Sequence, residues 1–179
     1  METVAAVHGG EITAGSATSE ALGRIERIDP SIGAFQVVRA AAALREARAV
    51  DARPDRGTLP LAGLPIAVMD NVPVRREPMR DRSSASDPAP QPADHEVVRR
   101  LRAAGAVVVG ITRVPELCVF GATDSRFGVT RSPWIGAAPP VARRPGQSPR
   151  WRRAWWLQRT ATTAWARSAS QRPAAAWWG

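Results

Sequence analysis

Apolar residues recur at helical spacing at Ala21, Leu22, Ile25 and Ile28 and predict a short helix over residues 19–28. Asp29-Pro30 is expected to stop it, because the residue before a proline disfavours helical backbone. Residues 32–38 form a short apolar run, read as a strand or as the lead-in to the next helix. Residues 39–52 are rich in Ala, Leu, Arg and Glu and predict a surface helix that packs through its alanines. After a turn-rich link over 54–60, the run from Leu64 to Val68 reads as a buried strand, ended by Asp70-Asn71. The proline-rich, polar stretch 73–92 predicts an extended loop. At that length it is expected to fold against the domain or to cover a site.

Asp94 suits the N-cap of a helix over 95–104, with Val97, Val98 and Leu101 as its apolar stripe. Gly105 suits the position just past the helix end. Residues 106–110 follow as a strand apolar on both faces, the pattern of a strand covered on both sides in a parallel or mixed sheet. Strand, helix and strand joined by tight turns point to an α/β fold. Pro115 can open a short helix with Glu116 and Leu117.

Beyond Trp134 this grammar stops. No strand alternation or single apolar helix face can be traced through residues 135–179. Composition changes at the same point. Residues 1–134 carry 17 arginines against 16 acidic residues, whereas 135–179 carry 8 arginines, no acid and six of the seven tryptophans. The formal charge of +9 is therefore a property of the tail, and lysine is absent throughout. The chain divides into an α/β region, 1–134, and a tail, 135–179, expected to be disordered. An Arg/Trp tail could contact phosphates and stack on bases, so a nucleic-acid or other anionic partner is the alternative reading. The near-neutral balance of 1–134 argues against it.

Few residues suggest chemistry on their own. His8 and His95 lack ligand-spaced partners, and His95 reads as a solvated histidine. Cys118 is the single cysteine; it reads as a small apolar filler between Leu117 and Val119, and a catalytic pairing with a histidine has no support. Asp70, Asp94, Glu116 and Asp124 form no recognisable metal motif, and no glycine-rich phosphate loop occurs. No metal and no cofactor are expected. A signal-peptide pattern and an apolar run long enough to span a membrane are both missing, and the lone thiol fits a reducing cytoplasm.

Three stretches, GLPIAVMDNVPV (63–74), ADHEVVRRLRAAGAVVVGITRVPEL (93–117) and FGVTRSPW (127–134), resemble the amidase signature family in order and spacing. The resemblance runs from about residue 20 to Trp134 and implies the opening third of a serine-dependent amidase: an incomplete N-terminal part of an α/β fold with a large mixed sheet flanked by helices. Members hydrolyse carboxamide C–N bonds of small-molecule amides with a Ser–Ser–Lys triad. A neutral lysine takes the bridging serine's proton, which activates the nucleophile, and backbone N–H groups stabilise the oxyanion. By the same resemblance the catalytic lysine, in a pattern like AVKDN, falls at Met69, and a thioether accepts no proton from a hydroxyl. A second family lysine falls at Ile111, and an asparagine two places on falls at Arg113. Both triad serines lack a counterpart by motif: Ser148, Ser168 and Ser170 have neither the glycine loop nor a base beside them. The catalytic set implied for this chain is empty, and inactivity is expected. So are poor solubility and a strand at 106–110 that lacks some of its neighbours.

The tail bears a relation to the missing motifs through the genetic code. Let each alternative codon take the third base of one residue and the first two of the next. Residues 161–179 then permit DDGLGSVRIPAACCGLVG, a nucleophile segment of the family's kind, and residues 137–154 permit RTPGGSSAGSVAAVAAG, its glycine-serine loop. Tryptophan has one codon, so Trp177, Trp178 and Gly179 force Val-Gly. The expectation is a shifted reading frame just after Trp134.

Overall fold

The structure, a computed structural model, describes residues 2–119 and 124–131. The expected α/β character is present: a three-stranded mixed sheet flanked by helices. Its elements in chain order are α1 (Glu2–His8), α2 (Ala14–Ile32), β1 (Phe35–Val38), α3 (Ala40–Asp51), β2 (Pro65–Met69), α4 (Glu96–Ala103) and β3 (Val107–Thr112), followed by a hairpin of β4 (Asp124–Ser125) and β5 (Gly128–Val129). The expected boundary at 134 and the whole tail 135–179 lie outside the described residues.

Strand β3 is central, parallel to β2 and antiparallel to β1. The expectation that it would lack neighbours is corrected, since it is paired on both sides. Both pairings shift register beside Gly110. A β-carbon there would stand 2.6 Å from the Val37 carbonyl oxygen and 2.8 Å from the Phe35 ring, so only glycine lets the bulged β1 come so close.

One face of the sheet packs through Val107 and Val109 onto α2 and α3, where Ala14, Ala43 and Ala47 are fully buried. Small residues let these helices approach closely. The other face packs Ile66, Val68, Val108 and Ile111 onto Val98 of α4 and Val74 of the loop. That two-sided cover explains the continuous apolar reading of β3.

Where β1 ends and the chain turns into α3, side chains continue its pairing. Arg39 donates from its backbone N–H to Val109 O (2.8 Å) and from Nη1 to Val108 O (2.7 Å). The Val108 N–H reaches Glu46 Oε2 at 3.3 Å. Arg39 also donates from Nε to Glu77 (2.7 Å) and from Nη2 to Glu46 (3.0 Å), and Arg102 bridges Glu46 and Asp94, each at 3.1 Å. Burial alone would lower the Arg39 pKa. The hydrogen bonds and charges of Glu77 and Glu46 outweigh it and hold the guanidinium above its ordinary value.

Two helix ends differ from expectation. Asp29-Pro30 does not stop α2; Pro30 lies exposed in its last turn and removes one N–H, and the helix closes at Gly33, whose N–H donates to Asp29 O at 2.6 Å. Asp94 does not cap α4. His95 does, its Nδ1 accepting from the Val97 N–H at 3.2 Å, while Asp94 accepts from the Arg75 N–H at 2.8 Å and pairs with Arg102.

Candidate functional site

The apolar strands deliver their C-terminal ends to one edge, where the polar residues of the chain converge. Met69 closes β2 opposite Thr112 of β3 and is half-buried. The next residue, Asp70, is 1% exposed. Its N–H donates to Thr112 O (3.0 Å), and its carboxylate accepts the N–H groups of Arg80 and Arg82, both at 3.1 Å. Burial raises the Asp70 pKa; those two backbone donors oppose the shift without reversing it, and the Asp81 charge adds to it.

Asp70 thereby pins the loop 73–92 across the strand ends, as its length led one to expect. The Asp81 N–H donates to Asp70 O (3.2 Å), and the Leu117 N–H donates to Asp81 O (2.8 Å). Asp81, Arg82, Leu117 and Cys118 all have positive φ, between 45° and 58°. Non-glycine residues adopt that conformation at a cost of order 1–3 kcal/mol each and keep it only where the surroundings dictate it. Such strain gathers at sites, and here it gathers around the ends of β2 and β3.

Cys118 is exposed, which corrects its reading as a small apolar filler, and it lies with Leu117 in a left-handed turn. Loss of water around the sulfur raises its pKa, the Asp81 charge raises it further, and a hydrogen bond from the Asn71 side chain opposes both. It is not an activated nucleophile. Both histidines are engaged elsewhere, His8 with Leu59 O at 2.9 Å and His95 at its helix cap. Ile111, where the family resemblance implies a second lysine, is 2% exposed within the core. Glu116 begins a single 3₁₀ turn, 116–118, in place of the expected helix, and Asp124 lies in β4. Ser148, Ser168 and Ser170 lie outside the described residues.

Beside this edge is an open cleft of about 390 Å³, lined by Gln36, Val37, Pro78, Arg80, Arg113 and Phe127. Sequence reasoning picked out Arg113 alone among them, and only as a departure from a pattern. The missed signal was the excess of arginine in residues 75–82, four arginines against two acids.

A family model described as Amidase matches residues 16–138. The chain belongs to the amidase family. Putative amidase AmiB2 of Mycobacterium tuberculosis (strain ATCC 25618 / H37Rv) is 46% identical over 127 residues, covering 70% of this chain and 27% of that protein. A glutamyl-tRNA(Gln) amidotransferase subunit of Symbiobacterium thermophilum is 39% identical over 129 residues, 70% of this chain and 26% of the relative. The chain thus spans about a quarter of the length of these amidase-family relatives. Among solved structures, a chain from a vestigial protein complex bearing on the origins of an s-triazine catabolic enzyme superposes with a TM-score of 0.72 at 32% identity, covering 79% of this chain and 32% of its own. The native peptide amidase from Stenotrophomonas maltophilia gives 0.64 at 34% identity, covering 74% and 29%. The amidase family resemblance drawn from three motifs therefore holds for fold and ancestry. No helix among the described residues is long and apolar enough to cross a membrane.

Proposed function

We propose that this chain is an amidase-family scaffold without amide hydrolase activity as written. The observation that carries the reading is Met69 at the end of β2, where the family motif has its lysine. A thioether cannot relay a proton, so a serine brought to this strand end would stay a poorly nucleophilic hydroxyl. The reading is further supported by the absence of both serine motifs from the sequence and by the way 137–154 and 161–179 spell them in a shifted frame. In that reading Met69 interrupts the proton relay, the frame shift removes nucleophile and bridge together, and the chain resides in the cytoplasm.

The test is turnover of a simple aromatic amide, together with labelling by a serine-directed acylating inhibitor. The 179-residue chain is expected to give neither, and Met69→Lys alone neither. Met69→Lys combined with the restored frame is expected to give both. Labelling of any serine in the unmodified chain refutes the proposal, and DNA that cannot encode the glycine-serine loop refutes its frame-shift part. The eight arginines of 135–179 favour one second reading, binding of nucleic acid by the tail. It requires a complex that weakens steeply with salt, and its absence at low salt dismisses it.

A further inference from the structure

The open cleft is lined by two arginines, Arg80 and Arg113. Among the described residues, neither Arg80 nor Arg113, which line it, pairs with a carboxylate, and neither does Arg126 behind it. Asp70 feels the Arg80 charge, but its oxygens are committed to backbone N–H groups. The Arg80 guanidinium lies 5.8 Å from the centre of the Phe127 ring, and that of Arg126 lies 5.4 Å from it. Both fall within cation–π range and hold the ring as one wall.

Arg113 is held more firmly. A β-carbon at Gly33 would stand 2.9 Å from its Nη1, and one at Gly128 would stand 3.1 Å from the same atom and 3.6 Å from Cζ. The two glycines thus lie against the guanidinium, and both have positive φ, 66° and 107°. For all this packing, among the described residues the Arg113 side chain makes only one long hydrogen bond, Nη1 to Val129 O at 3.5 Å, and its buried Nε has no partner. An arginine fixed in place with donors to spare is preorganised for an oxyanion.

We propose that this cleft binds a small carboxylate with an apolar body, the carboxylate facing Arg113 and Arg80 and the body lying on Phe127, Val37 and Pro78. Half of the lining is apolar, which favours such an acid over inorganic phosphate. The tail cannot supply the occupant's charge from its side chains, because 135–179 contains no acidic residue. The inference is independent of whether the chain hydrolyses amides.

The experiment is titration of the full 179-residue chain with benzoate, followed by calorimetry and by ligand-detected NMR, with benzamide and inorganic phosphate as parallel probes. Benzoate is expected to bind saturably, and benzamide, which has the same shape without the charge, at least about tenfold more weakly, the scale of one charge-assisted hydrogen bond. Arg113→Asn and, separately, Arg80→Ala are expected to weaken benzoate by a similar factor, while the exposed Arg99→Ala leaves it unchanged. Equal binding of benzoate and benzamide, no binding of benzoate, or displacement of benzoate by equimolar phosphate overturns the proposal. The three-probe comparison needs only the unmodified chain, so it stands even if a variant fails to fold.

Discussion

Arg39→Met probes the ion-pair network that finishes the β1 side of the sheet. Methionine keeps most of the aliphatic stem in place and removes three bonds: to Glu77 at 2.7 Å, to Val108 O at 2.7 Å and to Glu46 at 3.0 Å. A hydrogen bond to a charged group contributes about 1.5–3 kcal/mol, and a buried carbonyl left without a donor costs about 1–3 kcal/mol. Two circumstances discount the sum. The Glu46 and Glu77 side chains are 25% and 18% exposed and can recover water, and Glu46 retains Arg102 at 3.1 Å. Removing a charged pair also returns part of its desolvation cost. The net expectation is a loss of about 3 kcal/mol, within the range for breaking one side of a buried pair. Urea denaturation followed by far-ultraviolet circular dichroism measures it as a fall in midpoint at constant slope. A double-mutant cycle with Glu46→Gln is expected to show about 1–2 kcal/mol of coupling between the two residues. Stability within about 0.5 kcal/mol of the parent, or no coupling, would mean that the network is ornamental and that backbone pairing alone secures β3.

Two further expectations concern the strand ends. The raised pKa of Asp70 means that, between the ordinary aspartate value and the native one, only the folded state binds the proton. Its contribution to stability is therefore full below the unfolded value and is lost as pH rises through the native value. Acidification from neutrality into that window should raise the urea midpoint, and Asp70→Asn should abolish this rise. Glu96, held down to about 2 by Arg99 and Arg100, acts in the opposite sense: its contribution is present above its usual pKa and fades as pH falls toward about 2. Met69→Lys should change stability by less than about 1 kcal/mol, because the site is half-buried and a lysine stem can lie along apolar surface with its ammonium in water. A loss above about 3 kcal/mol in urea denaturation would show that this strand end cannot house a lysine, and would sink its assignment as the family position.

The parts of the fold that could be read from the sequence are those whose causes are local. Strands β2 and β3 are apolar runs bounded by turn residues, and α4 carries its stripe within one short segment, so each pattern is complete where it occurs. The start of α2 is not local in this sense. Thr13 and Ser16 form a reciprocal cap, but the Ala14 and Gly15 N–H groups donate to Asp51, at 2.7 and 2.9 Å, from the far end of α3. A window over 14–18 cannot see that partner. Helix α1 offers only Val4 and Val7 as buried residues, too few for a periodic signal. Asp94 had the composition of a cap but was taken by Arg102 and the Arg75 N–H, and the cap passed to its neighbour. At the site, Met69 was singled out only because a family motif surrounds it, whereas the part Asp70 plays in pinning the loop rests on backbone donors ten and twelve residues away. The cleft was not legible, because its six lining residues come from four separate segments, spaced between positions 36 and 127.

Charge shows the same limit most clearly. The near-neutral balance of residues 1–134, 17 arginines against 16 acids, argues against a nucleic-acid or other anionic partner. In three dimensions the carboxylates are unevenly spent. Glu46, Glu77 and Asp94 neutralise Arg39 and Arg102, Asp51 caps α2, Asp70 is occupied by backbone donors, and Glu96 serves two arginines on its own helix. Among the described residues Arg80, Arg113 and Arg126, at the strand ends, are left without an ion-pair partner, because several of the acids are engaged in holding the fold and not because the segment is basic. Coulomb interactions between exposed charges are screened within roughly a Debye length, so an arriving anion meets the local excess of charge and not the total. A domain whose net charge is close to zero can thus present a cationic cleft. Near-neutrality speaks against an anionic partner for the surface at large, and it loses its force at the proposed cleft, where the two lining arginines have no ion-pair partner among the described residues.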